Sequence, residues 1–127
     1  MLFGQVHHVE YYVADLHRSN AFWNWFLPRL GYRKKNEWPE GVSWAHPNGT
    51  YLVFVQVEAP WLQIKNNRQG NGLNHIAFNG ASKEHLDQLE EELRLREIVV
   101  LKRLPYYLLW EDPNGFAVEM FTDIVGA

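Results

Sequence analysis

Apolar and polar residues alternate along Val6-His7-His8-Val9-Glu10-Tyr11-Tyr12-Val13. Period two predicts a strand with Val9, Tyr11 and Val13 on a packed face and His8, Glu10 and Tyr12 on a polar face. The period then changes. Asp15 stands where an N-cap belongs, ahead of a helix over 16–26 whose stripe is Phe22, Trp25 and Phe26. Pro28 and Gly31 are its expected terminators. Three further strands are expected, a short one at 32–37, another at 42–45 and a strongly apolar one at 51–57. The stretch 58–72 holds Pro60, Gly70, Asn71 and Gly72 and reads as a connection. Trp61 and Leu62 inside it either cover a pocket or pack. The pattern then restarts: a strand at 73–78, a helix capped by Ser82 and running to about 96, and strands at 98–101, 107–110 and 116–121. Leu86, Leu89 and Leu93 form the second helix's stripe, with Lys83/Asp87 and Glu90/Arg94 paired on its wet face.

Each half therefore reads β-α-β-β-β, with module one at about 1–58, a linker at about 59–72 and module two at about 73–127. The tripeptide Pro47-Asn48-Gly49 recurs as Pro113-Asn114-Gly115, ahead of a strand in both cases. Laying Val6-His7-His8-Val9 over Leu73-Asn74-His75-Ile76 makes His8, rather than His7, the counterpart of His75. Counting four positions from each Pro-Asn-Gly makes Val53 the counterpart of Glu119. The fold class is α+β, and two equal halves imply a pseudo-two-fold arrangement in which corresponding residues converge.

Composition narrows the chemistry. The 127 residues carry a net charge of −3, without the basic excess expected of a phosphate-backbone binder, so no nucleic-acid partner is expected. The absence of cysteine excludes disulfides, thiolate metal sites and cysteine nucleophiles. No apolar run reaches the ~18 residues of a spanning helix, and the N-terminal residues lack a signal-peptide pattern. The expectation is a cytoplasmic protein that does not enter a membrane. Gly70-Asn71-Gly72 lacks the context of a phosphate loop, and no serine sits in a nucleophile context. Aromatic residues make up 15% of the chain, six of them Trp, enough to line a pocket as well as a core.

His8, His75 and Glu119 stand out as metal-competent side chains on otherwise apolar strands. Two imidazoles and one carboxylate suit a divalent first-row metal and leave positions for water or substrate. The stretches His8-Val9-Glu10-Tyr11-Tyr12-Val13-Ala14-Asp15-Leu16, His75-Ile76-Ala77-Phe78 and Glu111-Asp112-Pro113-Asn114-Gly115-Phe116-Ala117-Val118-Glu119 resemble the vicinal oxygen chelate superfamily, also called the glyoxalase/bleomycin-resistance/dioxygenase group. The resemblance spans nearly the whole chain. It implies paired βαβββ modules whose curved mixed sheet forms a cup around a metal (Mn, Fe, Zn or Ni), often in a homodimer. Val53 cannot ligate, so the four-ligand members similar to glyoxalase I fit less well than three-ligand members similar to fosfomycin-resistance enzymes and extradiol dioxygenases.

The function expected is a metal-dependent enzyme whose metal acts as a Lewis acid on a small oxygen-bearing substrate, in a lyase, isomerase or ring-opening addition reaction. Glu10 is the candidate base, and Tyr12, Val53 and Tyr107 are candidate pocket residues. Two alternatives stand beside it: a metal-free, ligand-sequestering protein resembling the bleomycin-resistance members, and a small extradiol-type dioxygenase using Fe(II) or Mn(II).

Overall fold

The computed structural model describes residues 3–122. They form two units that meet in sequence between Lys65 and Asn66. The first contains β1 (His8–Val13), α1 (Leu16–Arg29), β2 (Arg33–Trp38), β3 (Gly41–Ala45) and β4 (Tyr51–Gln56), followed by a 3₁₀ turn at Ala59–Trp61. The second contains β5 (His75–Asn79), α2 (Lys83–Leu95), β6 (Val100–Leu104), β7 (Tyr107–Glu111) and β8 (Ala117–Phe121). The fold is α+β, two βαβββ modules.

Each module builds one mixed four-stranded sheet, ordered β1-β4-β3-β2 in the first and β5-β8-β7-β6 in the second. The first strand of each module pairs parallel with the last, and the remaining pairs are antiparallel. The parallel pair requires a crossover, which the helix supplies. The edge strands carry matching irregularities, between Lys34 and Asn36 in β2 and between Val100 and Lys102 in β6. A bulge of this kind re-aims side chains along the bulged strand.

Both helices start as their caps dictate. Asp15 Oδ1 accepts from Arg18 N at 3.1 Å, and Ser82 Oγ accepts from His85 N at 3.1 Å. Pro28 does not end α1. It sits inside the last turn, and the helix stops at Gly31, whose φ of 95° is the left-handed value that glycine adopts at no steric cost. The main chain there closes with Tyr32 N donating to Leu27 O at 3.1 Å. The stripe also turns slightly from the expected one. Trp23 is buried, while Trp25 is half-exposed with the Arg29 guanidinium 5.0 Å above its ring.

Under α1, Phe54 lies between stacked partners, Tyr11 at 5.4 Å and Trp23 at 4.9 Å between ring centroids. Leu86, Leu89 and Leu93 of α2 are buried, as are Leu108, Trp110, Val118 and Met120 of their own module's sheet. The Pro-Asn-Gly turns are pinned by whichever acceptor stands two residues before the Asn. In module two it is buried Asp112, whose Oδ1 accepts from Asn114 N at 2.8 Å and Phe116 N at 2.9 Å. In module one it is His46, whose Nδ1 accepts from Asn48 N at 3.1 Å while its Nε2 lies 3.1 Å from Leu30 O. His46 is thus a structural residue joining the end of α1 to a turn.

The wet face of α2 is more tied down than helix pairing alone suggests. Arg103 of β6 reaches Glu90 Oε1 and Asp87 Oδ1, each at 2.8 Å, while Arg94 holds Glu90 Oε2 at 2.6 Å. The Arg94 hydrogen bond, with Arg103 and both positive charges, outweighs burial and lowers the Glu90 pKa from its ordinary value. A lowered folded-state pKa contributes stability above the unfolded value, and that contribution is lost as the pH falls through the folded one. Arg103→Ala is therefore expected to cost about 1 kcal/mol at pH 7. The difference should shrink below about pH 4, where the carboxylates protonate. Denaturant melts of both proteins at the two pH values check this.

Candidate metal centre

Strand parity aims the candidate residues. In module two, His75 pairs in register with Ala117, and Ala77 with Glu119, so His75, Ala77, Ala117 and Glu119 share one sheet face. The structure brings His75 and Glu119 together: His75 Nε2 lies 3.5 Å from Glu119 Oε1. The Glu119 side chain is only 12% exposed, whereas that of His75 is 41% exposed.

The other ends of both groups are also held. Asn74 Nδ2 donates to Arg68 O at 3.0 Å, which leaves Asn74 Oδ1 as the acceptor facing His75 Nδ1 at 2.8 Å. Nδ1 therefore carries a proton, which leaves Nε2 as the nitrogen that faces Glu119 and can ligate a cation. Tyr107 of β7 donates its hydroxyl to the second carboxylate oxygen, Glu119 Oε2, at 2.8 Å. Burial first, then the hydrogen bond and charge of Glu119, push the Tyr107 hydroxyl up to about 12, with Arg68 pulling the other way. Tyr107 is consequently a donor throughout the neutral range.

In module one, His8 pairs with Tyr51 and Glu10 with Val53, the same register that places His75 and Glu119. The His8 ring stacks on Tyr51 with centroids 4.8 Å apart and planes 1° apart. Its Nδ1 is 2.9 Å from His7 Nδ1, so one of these nitrogens donates to the other. In each module, then, the side chain preceding the candidate histidine engages its Nδ1. Lys35, beside the β2 bulge, places Nζ 4.2 Å from the centroid of the Tyr51 ring. Glu10 and Tyr12 are exposed on the face of His8, and Val53 is buried. Tyr12 lines a groove of about 410 Å³ with Val57, Glu58, Trp61 and Ile64. Sequence reasoning passed over Asn74, Tyr51 and Lys35, and set His7 aside in favour of His8. The position of Asn74 and His7, directly before the aligned histidines, was the available signal.

Within neither module do three His, Asp or Glu side chains converge among the described residues. The module-two pair nonetheless fits a cation. Two neighbouring ligands each about 2.0–2.2 Å from one metal ion stand about 3.0–3.5 Å apart, and an imidazole with a carboxylate is a donor set such ions accept. The separation of His75 Nε2 and Glu119 Oε1 falls at the upper end of that span.

No family model matches the chain. It is 40% identical over 124 residues to the uncharacterized protein YqjT of Bacillus subtilis (strain 168), covering 91% of this chain and 96% of that one. It superimposes on the crystal structure of a candidate glyoxalase from Bacillus halodurans with a TM-score of 0.89, at 40% identity over 94% of this chain and 96% of that one. The chain belongs to the vicinal oxygen chelate superfamily. A more distant member, the fosfomycin resistance protein FosX of Listeria monocytogenes, shares the fold with a TM-score of 0.71 at 15% identity, over 98% of this chain and 94% of that one. Its structure, that of a mutant form, is a complex with Mn(II) and 1S,2S-dihydroxypropylphosphonic acid. The matching strand registers of the two modules are this superfamily's duplication, written in the hydrogen-bond ladder.

Proposed function

We propose that the protein is a divalent-metal-dependent enzyme of the glyoxalase/dioxygenase type acting on a small oxygen-bearing substrate. The observation that carries this reading is the His75–Glu119 pair, 3.5 Å apart, with the Nδ1 proton of His75 fixed by Asn74. His75 and Glu119 supply two ligands, and the sequence names His8, the module-one counterpart of His75, as the third. The Mn(II) complex of FosX supports the class of metal.

The bound cation would act as a Lewis acid toward substrate oxygens. Two neutral imidazoles and one carboxylate leave a divalent site with net positive charge, which favours a substrate that develops an oxyanion. Glu10, exposed on the face of His8, is the proposed base, which takes a proton from the substrate and returns it. Asn74 keeps His75 in the tautomer that can ligate. The reaction classes consistent with this set are lyase, isomerase and ring-opening addition.

A second reading has its own observation. Tyr12 and Trp61 are 61% and 58% exposed around the groove, as in a protein that sequesters an aromatic ligand without a metal. Metal analysis after purification without chelator separates the two. About one equivalent of Mn, Fe, Zn or Ni per chain, restored by Mn(II) after EDTA treatment, supports the enzyme. A metal-free protein that titrates no Mn(II) and binds aromatic ligands equally well in EDTA supports sequestration.

A further inference from the structure

Glu119 has two oxygens, and the structure gives them different tasks. Oε1 faces His75 Nε2 at 3.5 Å, and Oε2 accepts the Tyr107 hydroxyl at 2.8 Å. We infer that Tyr107 is a positioning residue that holds Glu119 as a one-oxygen metal ligand with Oε1 turned toward His75. The inference rests on the metal reading above.

The register explains how β7 reaches the site. Leu109 is the direct partner of Glu119, and Tyr107 is the partner of Phe121. Tyr107 and Glu119 are therefore diagonal neighbours on one face of an antiparallel pair, the separation that a tyrosine side chain can bridge. The Tyr107 ring is itself braced by Phe121, with centroids 5.0 Å apart at an interplanar angle of 62°. A braced ring fixes where the hydroxyl points, and the hydroxyl fixes the rotation of the carboxylate about its last side-chain bond. Without that bond the carboxylate is free to rotate and offer either oxygen or both. Because the two contacts use different oxygens, Tyr107 and a cation on Oε1 do not compete for one atom. The arrangement is the outer-sphere support expected of a ligating carboxylate, whose loss typically lowers metal affinity about 10–100-fold.

Tyr107→Phe keeps the ring and its contact with Phe121 and removes only the donor. Mn(II) is titrated calorimetrically into metal-free wild type, Tyr107→Phe and Glu119→Gln, and the visible spectrum of each is recorded with Co(II) in place of Mn(II). The expected result is Mn(II) binding by wild type and a loss of affinity of about 10–100-fold in Tyr107→Phe. The mutant's thermal midpoint should match wild type, and its Co(II) spectrum should be altered. A merely structural tyrosine would move the midpoint and leave the spectrum of the metal-loaded mutant alone. Wild-type affinity and spectrum in Tyr107→Phe would overturn the inference while leaving the metal reading standing. No Mn(II) binding by wild type would overturn both.

Discussion

Glu119→Gln is expected to abolish stoichiometric Mn(II) binding and, with it, turnover of any substrate the protein acts on. The substitution is nearly isosteric and keeps an oxygen that can accept from Tyr107, so the local fold should survive. What it removes is the negative charge beside His75 Nε2, now 3.5 Å away. With three protein ligands expected, one charged ligand is a large share of the site. The loss should exceed the about 10–100-fold typical of an outer-sphere partner. His75→Ala should do the same by a different route, deleting the nitrogen donor. Combining the two should add little, because both act on one site. Calorimetric titration with Mn(II), read beside the thermal midpoint, checks the set. A Glu119→Gln protein that binds Mn(II) like wild type would contradict the assignment.

The largest expected effect on stability lies in module one. Phe54 is fully buried, stacked between Tyr11 and Trp23, and paired in register with Tyr11 and Val42. Phe54→Ala loses the transfer free energy of the ring and leaves a cavity walled by aromatic rings too stiff to collapse into it. The expected cost is about 3–5 kcal/mol, a large share of the roughly 5–15 kcal/mol by which a domain is stable. The thermal midpoint should fall by about 10 °C or more. As a control, Leu95→Ala, at a side chain 77% exposed, should change it little. A fall of only one or two degrees in Phe54→Ala would contradict this account of the core.

Local chemistry written in the sequence was readable. Asp15 and Ser82 cap their helices as such residues do, and each Pro-Asn-Gly stands just ahead of the last strand of its module, β4 or β8. Two readings failed for physical reasons. Pro28 was expected to end α1, yet a proline so near a helix C-terminus forfeits little, and Gly31 stops the chain by its positive φ. Trp25 was expected on the core stripe, but the stripe turns so that Trp23 meets Phe54, and Arg29 covers Trp25 instead.

What the pattern could not show was side chains reaching across it. Tyr107 meets Glu119 along a diagonal that depends on the β7–β8 register. Arg103 reaches back from β6 to Asp87 and Glu90 on α2. The contact of Asn74 with His75 joins residues next to each other in sequence, yet its meaning depends on which way the Asn74 amide is turned, and that is set by Arg68 O. His46 and Asp112 do one job with different side chains, so comparing the two halves by residue identity misses it.

The central claim is that a divalent cation sits where His75 and Glu119 converge. Anomalous scattering at the manganese edge from crystals grown with Mn(II) tests it most directly. The account predicts one peak about 2.0–2.2 Å from both His75 Nε2 and Glu119 Oε1. Manganese elsewhere on the protein, with His75 and Glu119 still facing each other and no peak between them, would contradict it.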